Sequence, residues 1–114
     1  MSDKDIESEI QDKGLTAPRV TPGKIESVIA EEVFFTPADA VKGKGGQVAD
    51  SSPINLLTIC VLILKNGFTV TGESACASPE NFDPEIGRKI ARENAVNKIW
   101  MLEGYLLKQR LSEK

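Results

Sequence analysis

The apolar positions of this chain fall into three runs divided by polar stretches, and the spacing differs from run to run. Residues 1–15 carry few large apolar groups and read as a mobile acidic tail. "TPGKIESVIAEEVFF" follows, with Thr21 suited to an N-cap and Pro22 to the first helical position. Ile25, Val28, Ile29 and Val33 come at helical spacing, which predicts a short amphipathic helix ending near Phe34. Residues 36–53 are rich in Gly, Ser and Pro without a period and predict a flexible loop. Gly43, Gly45 and Gly46 lie there beside Lys42 and Lys44, but the helix that a phosphate cradle needs next is missing.

The second run, "NLLTICVLILKNGFTVTGESA", predicts two strands joined at Asn66-Gly67. That pair suits a type I′ turn, which sets Leu64 opposite Thr69, Ile63 opposite Val70 and Leu62 opposite Thr71. One face of the first strand then shows Leu57, Ile59, Val61 and Ile63, and the other Leu56, Thr58, Cys60, Leu62 and Leu64. Both faces are apolar, whereas a strand with one wet face alternates. Helices on both sides would satisfy it, and so would a sheet surface shared between subunits, the arrangement expected for so small a core.

The third run turns helical after "CASPEN". Asp83 is a good N-cap, Pro84 fits the first position, and Glu85 suits the positive helix end. Ile86, Ile90, Ala91, Ala95, Ile99, Leu102 and Leu106 form a stripe over a helical segment from Pro84 to about Glu113. Near "KIWMLEGYLL" the apolar residues spread around the helix, predicting a kink or break beside Gly104, with Trp100, Met101 and Tyr105 in the core or an interface. The expected architecture is α+β: an antiparallel hairpin sheet, a short N-terminal helix and a long C-terminal helical segment, forming a single domain over 16–114.

Composition narrows the chemistry. The 114 residues carry a net charge of -3. Asp3, Asp5, Glu7, Glu9 and Asp12 against Lys4 and Lys13 already account for it, so the rest is neutral. Neither DNA nor RNA is an expected partner of a chain without a basic excess. With no histidine, the Ser-His and Cys-His nucleophile pairs and the commonest metal ligand are missing. Cys60 and Cys76 form no metal or redox spacing, so no metal, cofactor or catalytic residue is expected, and the protein reads as a non-enzyme. "INLLTICVLIL" is too short to span a bilayer, and no signal peptide precedes it, which points to a cytoplasm and away from membranes.

Clustered cations are what remains. On a helix, Arg88 and Arg92 project together, Lys89 lies one step round, and Asn94 lies on an adjacent face. With Phe82 at the helix mouth they have the makings of an anion or nucleotide site: guanidinium forks for phosphate, a ring for stacking, an amide for an edge. The alternative is a solvated face paired with Glu85 and Glu93. Arg19, held in "TAPRVT" between a rigid proline and two threonines, is either a second ligand cation or one half of a linker salt bridge.

"TAPRVTPGKIESVI", "LTICVLILKNGFTVTGESACASPENFD" and "EIGRKIARENAVNKIWMLEGYLLKQRL" together resemble the gene-product-49 family of small tailed-phage and prophage proteins. The layout of a hairpin sheet and long C-terminal helices also resembles the Thoeris anti-defence sponge proteins of the first type. That second resemblance implies capture of cyclic ADP-ribose isomers, and in some members cyclic oligonucleotides, without catalysis in pockets between subunits. By residue type it implies Arg19, Phe82, Arg92, Asn94 and Arg110 as ligand-binding residues, beside the Arg88 that the helix spacing adds. The expected function is therefore sequestration of a cyclic nucleotide immune signal by a homo-oligomer in the host bacterial cytoplasm. A protein–protein module, inhibiting a host factor or serving as a small phage structural adaptor, is the alternative.

Overall fold

The computed structural model of the protein describes residues 2–114, and its centre is one doubly apolar strand with a partner on each edge. The elements in chain order are α1 (Asp3–Asp12), α2 (Pro22–Ser27), β1 (Ile29–Phe35), α3 (Pro37–Gly43), β2 (Leu57–Leu64), β3 (Thr69–Ala75) and α4 (Pro84–Ser112). Short 3-10 turns at Pro53–Leu56 and Pro79–Asn81 lead into β2 and α4. The sheet is antiparallel with order β1-β2-β3. This is the α+β class that the periodicity predicts, with one strand more.

The extra strand corrects the first helix. Thr21 caps α2, accepting from the Lys24 N–H at 3.1 Å, but the helix stops at Ser27. Ile29–Phe35 pairs with β2 instead, setting Phe34 beside Cys60 and Phe35 beside Ile59. Buried backbone groups need partners, and β2 would otherwise leave a whole edge unpaired. Val33, Phe34 and Phe35 are also types that favour a pleated surface. Tertiary pairing has overridden a helical spacing only two turns long.

The hairpin forms where expected, with its register one residue away. Val70 lies opposite Leu62, and Thr69 opposite Ile63. A type I′ turn needs positive φ at both Asn66 and Gly67, yet only Gly67 has it, at 90°. The loop is instead three residues long, closed by the Leu64 N–H donating to the Phe68 carbonyl at 2.8 Å. Gly67 takes the left-handed position, and the Asn66 side chain accepts from the Phe68 N–H at 2.9 Å.

α4 lies across one face of β2 and β3. The core joins Cys60, Leu62, Leu64 and Val70 from the sheet to Ala91, Ala95, Val96 and Ile99 from the helix, with Ile25 from α2. The approach is close enough that a Cβ at Gly72 would sit 2.2 Å from the Ala91 carbonyl oxygen and 2.3 Å from the Ala95 nitrogen. The helix runs unbroken past Gly104, so it is not divided into two, and nothing beyond Ile99 is buried. Met101 and Tyr105 are 71% and 74% exposed, outside the core of this chain, while Trp100 is half-buried. Ile86 and Ile90, at the other end of the expected stripe, are exposed as well.

Two segments expected to be irregular contain helices. The acidic stretch forms α1, opened by a capping box in which Ser2 and Asp5 bond each other's backbone N–H groups; Met1 lies outside the described residues. Within 36–53, Thr36 and Asp39 form a second capping box, at the start of α3. The Thr36-Pro37-x-Asp39 spacing that opens it is legible in the sequence. Opposite α4, the residues Leu57, Ile59, Val61 and Ile63 are only half-buried, and Val33 is exposed. Among the described residues, no helix is long and apolar enough to cross a membrane.

Candidate functional site

At the N-terminal end of α4, several elements converge on a cleft of about 260 Å³. Asp83 fixes the helix start, its Oδ1 accepting from the N–H groups of Glu85 at 2.9 Å and Ile86 at 3.3 Å. Phe82, immediately before this cap, and Arg88, one turn inside the helix, form one wall. Phe34 and Phe35 at the end of β1, Thr36 and Asp39 at the start of α3, and Thr58 of β2 form the other. Gly87 permits the fit: a Cβ there would stand 2.8 Å from Thr58 Oγ1 and 3.9 Å from Phe82 Cε1.

The cleft lining carries one charge of each sign, Arg88 and Asp39. Arg88 makes no ion pair among the described residues, whereas neighbouring Lys89 is turned to Glu85 at 3.4 Å. Asp39 is the one carboxylate lining the cleft, and its oxygen accepts from the Thr36 backbone N–H at 3.0 Å. Hydrogen bonds from the Thr36 backbone and side chain hold Asp39 below the usual carboxylate range. Thr58 is 4% exposed and offers a hydroxyl among three aromatic rings. A guanidinium free to pair, flat rings and a recessed hydroxyl together suit a planar ligand carrying negative charge.

Of the six residues proposed from the sequence, the fold brings Phe82 and Arg88 together. Arg92 is committed elsewhere: its Nη1 and Nη2 donate to Glu26 at 3.1 and 2.8 Å, and its Nε to Glu32 at 2.9 Å. These bonds, with Glu26 the stronger partner, raise its pKa against the effect of burial. The result is a clasp that ties α2 and β1 to α4. Arg19 forks onto both oxygens of Glu7, which lowers the Glu7 pKa and raises its own. Asn94 donates its Nδ2 to the Glu73 carbonyl at 2.8 Å, covering part of the β3 edge. Arg110 is 22 residues beyond Arg88 on the same helix, roughly 33 Å at the usual rise.

Sequence reasoning missed Phe34, Phe35, Thr58 and Gly87 as parts of one site. The spacing puts the Phe-Phe pair at a helix end, and nothing in it relates the pair to Arg88. Cys60 is buried, and desolvation raises its thiol pKa, which disfavours the thiolate. Among the described residues, no His, Cys, Asp or Glu group is clustered to hold a metal ion.

A three-stranded antiparallel sheet backed by one long helix, with an aromatic and cationic cleft at the helix start, defines a small α+β domain. The chain belongs to the phage protein (N4 Gp49/phage Sf6 gene 66) family, whose model matches residues 20–111. Comparisons with curated proteins and with solved structures give no match.

Proposed function

We propose that this phage-family protein captures a cyclic nucleotide immune signal, a cyclic ADP-ribose isomer or a cyclic oligonucleotide, and holds it without turnover in the host cytoplasm. The observation that carries the reading is the unpaired Arg88 set among Phe82, Phe34 and Phe35. In this reading the guanidinium takes phosphate oxygens, a ring stacks on a base, and the Thr58 hydroxyl reads an edge. The resemblance to Thoeris anti-defence sponges of the first type supplies the ligand class. At about 260 Å³ the cleft of one chain is just below the usual range for small-ligand pockets. A second protomer closing over it completes the site, in keeping with an oligomeric sponge.

The half-buried sheet face of Leu57, Ile59, Val61 and Ile63, with the exposed Val33 beside it, favours a second reading. There the domain is a protein–protein module, an inhibitor of a host factor or a small structural adaptor, with that face as its contact. One experiment separates the two. Purified protein is mixed with cyclic ADP-ribose isomers, cyclic dinucleotides and cyclic trinucleotides, filtered and heated, and the released material is identified by mass spectrometry. Intact ligand released from the parent and lost from Arg88→Ala supports the sponge. A converted ligand would make the protein an enzyme, and no retained ligand would leave the interaction module.

A further inference from the structure

α1 sits over an apolar groove that it does not fill. A cavity of about 340 Å³ lies beneath it, walled by Ile6 and Ile10 on the helix side and by Val20, Pro22, Asn97 and Trp100 on the body side. No residue of α1 is buried. A ten-residue helix is too short to persist alone in water, so its order depends on the groove. Two polar anchors hold it there. Arg19 forks onto the Glu7 carboxylate, with Nη2 to Oε2 at 2.8 Å, and Trp100 Nε1 donates to Asp3 Oδ2 at 3.0 Å. Val20, Pro22, Asn97 and Trp100 lie within the family-matched residues 20–111, and α1 lies outside them.

The anchors and the apolar contacts define a recognition pattern. Asp3 and Glu7 are four residues apart, and Ile6 and Ile10 follow each of them by three. One helix face therefore presents two carboxylates beside two apolar side chains. The body offers the complement: the Arg19 guanidinium, bonded among the described residues only to Glu7 of α1, and the Trp100 indole N–H flank an apolar trough. Isoleucine at both apolar positions leaves the trough part empty, and larger side chains would bury more surface there.

We propose that the groove between α2 and α4 is a docking site for an acidic amphipathic helix of a protein partner, with α1 as its built-in competitor. The partner helix carries carboxylates at i and i+4 and large apolar residues at i+3 and i+7. This surface is separate from the Arg88 cleft, and the proposal stands whether or not that cleft binds a nucleotide.

Trp100 is the single tryptophan and so reports on the groove directly. The probe is a synthetic peptide of residues 2–14 carrying Ile6→Phe and Ile10→Phe, titrated into full-length protein while Trp100 emission is followed. Glu7→Ala and, separately, Asp3→Ala each remove one anchor and release α1, and since no α1 residue belongs to the buried core the body stays folded, which circular dichroism verifies. The expected result is a red shift of Trp100 in both variants, reversed by peptide. Binding should be at least tenfold tighter than to the parent, where α1 competes, and at least tenfold weaker in Arg19→Ala. Equal binding to the parent and both released variants, or no binding to any of them, overturns the proposal. An unchanged Trp100 emission on releasing α1 does so too. Dimers of the released variants by light scattering, with no peptide binding, would mean that a second copy's α1 is the occupant, and would also overturn it.

Discussion

Replacing Gly72 by alanine tests the layer arrangement at its tightest point. The glycine has no positive φ, so alanine suits the backbone, and any penalty must be steric. The added Cβ would lie 2.2 Å from the Ala91 oxygen, 2.3 Å from the Ala95 nitrogen and 2.9 Å from the Asn94 carbonyl carbon. All three are backbone atoms of α4, so no side-chain rotation relieves the contact. The helix and strand must part by roughly 1 Å, loosening Leu62 and Ile99 in the core. Overpacking of this kind costs about 1–3 kcal/mol, and a rigid backbone clash belongs at the upper end. About 3 kcal/mol corresponds to a fall in Tm of roughly 12 °C for a domain of this size. Gly104→Ala is the internal control, since a Cβ there meets nothing within 4 Å and the site is helical. It should stabilise by about 0.5–1 kcal/mol. Urea unfolding followed by circular dichroism measures both. A Gly72→Ala penalty below about 1 kcal/mol, or two substitutions of the same sign, would refute the close approach.

Asp83→Ala removes the cap of α4 and should cost about 1 kcal/mol in the same assay, with Asp83→Ser recovering most of it. Arg92→Ala should cost about 1 kcal/mol, a surface-pair magnitude because Glu26 and Glu32 are 57% and 39% exposed. Arg92 holds the Glu26 carboxyl below its ordinary 4.5, so that stabilisation is full above pH 4.5 and fades as the pH falls through the lowered value. The gap between the unfolding midpoints of parent and Arg92→Ala should therefore be widest above pH 4.5 and narrow as the pH falls below it. In the capture experiment, Arg88→Ala and Phe82→Ala should each lose at least tenfold in retained ligand and Arg110→Ala less than twofold; the reverse order would move the site to the far end of α4.

How much of the site was legible depends on what places each residue. The Phe82-Asp83-Pro84 start of α4 could be read from local chemistry, since caps and prolines act within a few residues. From there a helical period gives Arg88 its direction. Arg92 was legible as a cation but not as a clasp, because Glu26 and Glu32 are 66 and 60 residues away in sequence. The same distance hides the second wall of the cleft, which exists only because β1 pairs with β2.

By itself the sequence determined the class, the hairpin, the long capped helix and the doubly apolar central strand. Each rests on a short-range rule: a period, a turn residue or a cap. Tertiary structure decided that Ile29–Phe35 is a strand, since an apolar strand with an open edge needs hydrogen-bond partners more than a two-turn helix needs to continue. It also decided that the acidic segment folds against Trp100, through an anchor between Asp3 and a side chain 97 residues away. The charge pattern marks that segment as a tail, because like charges along a chain repel until a groove and an arginine elsewhere in the fold accept them.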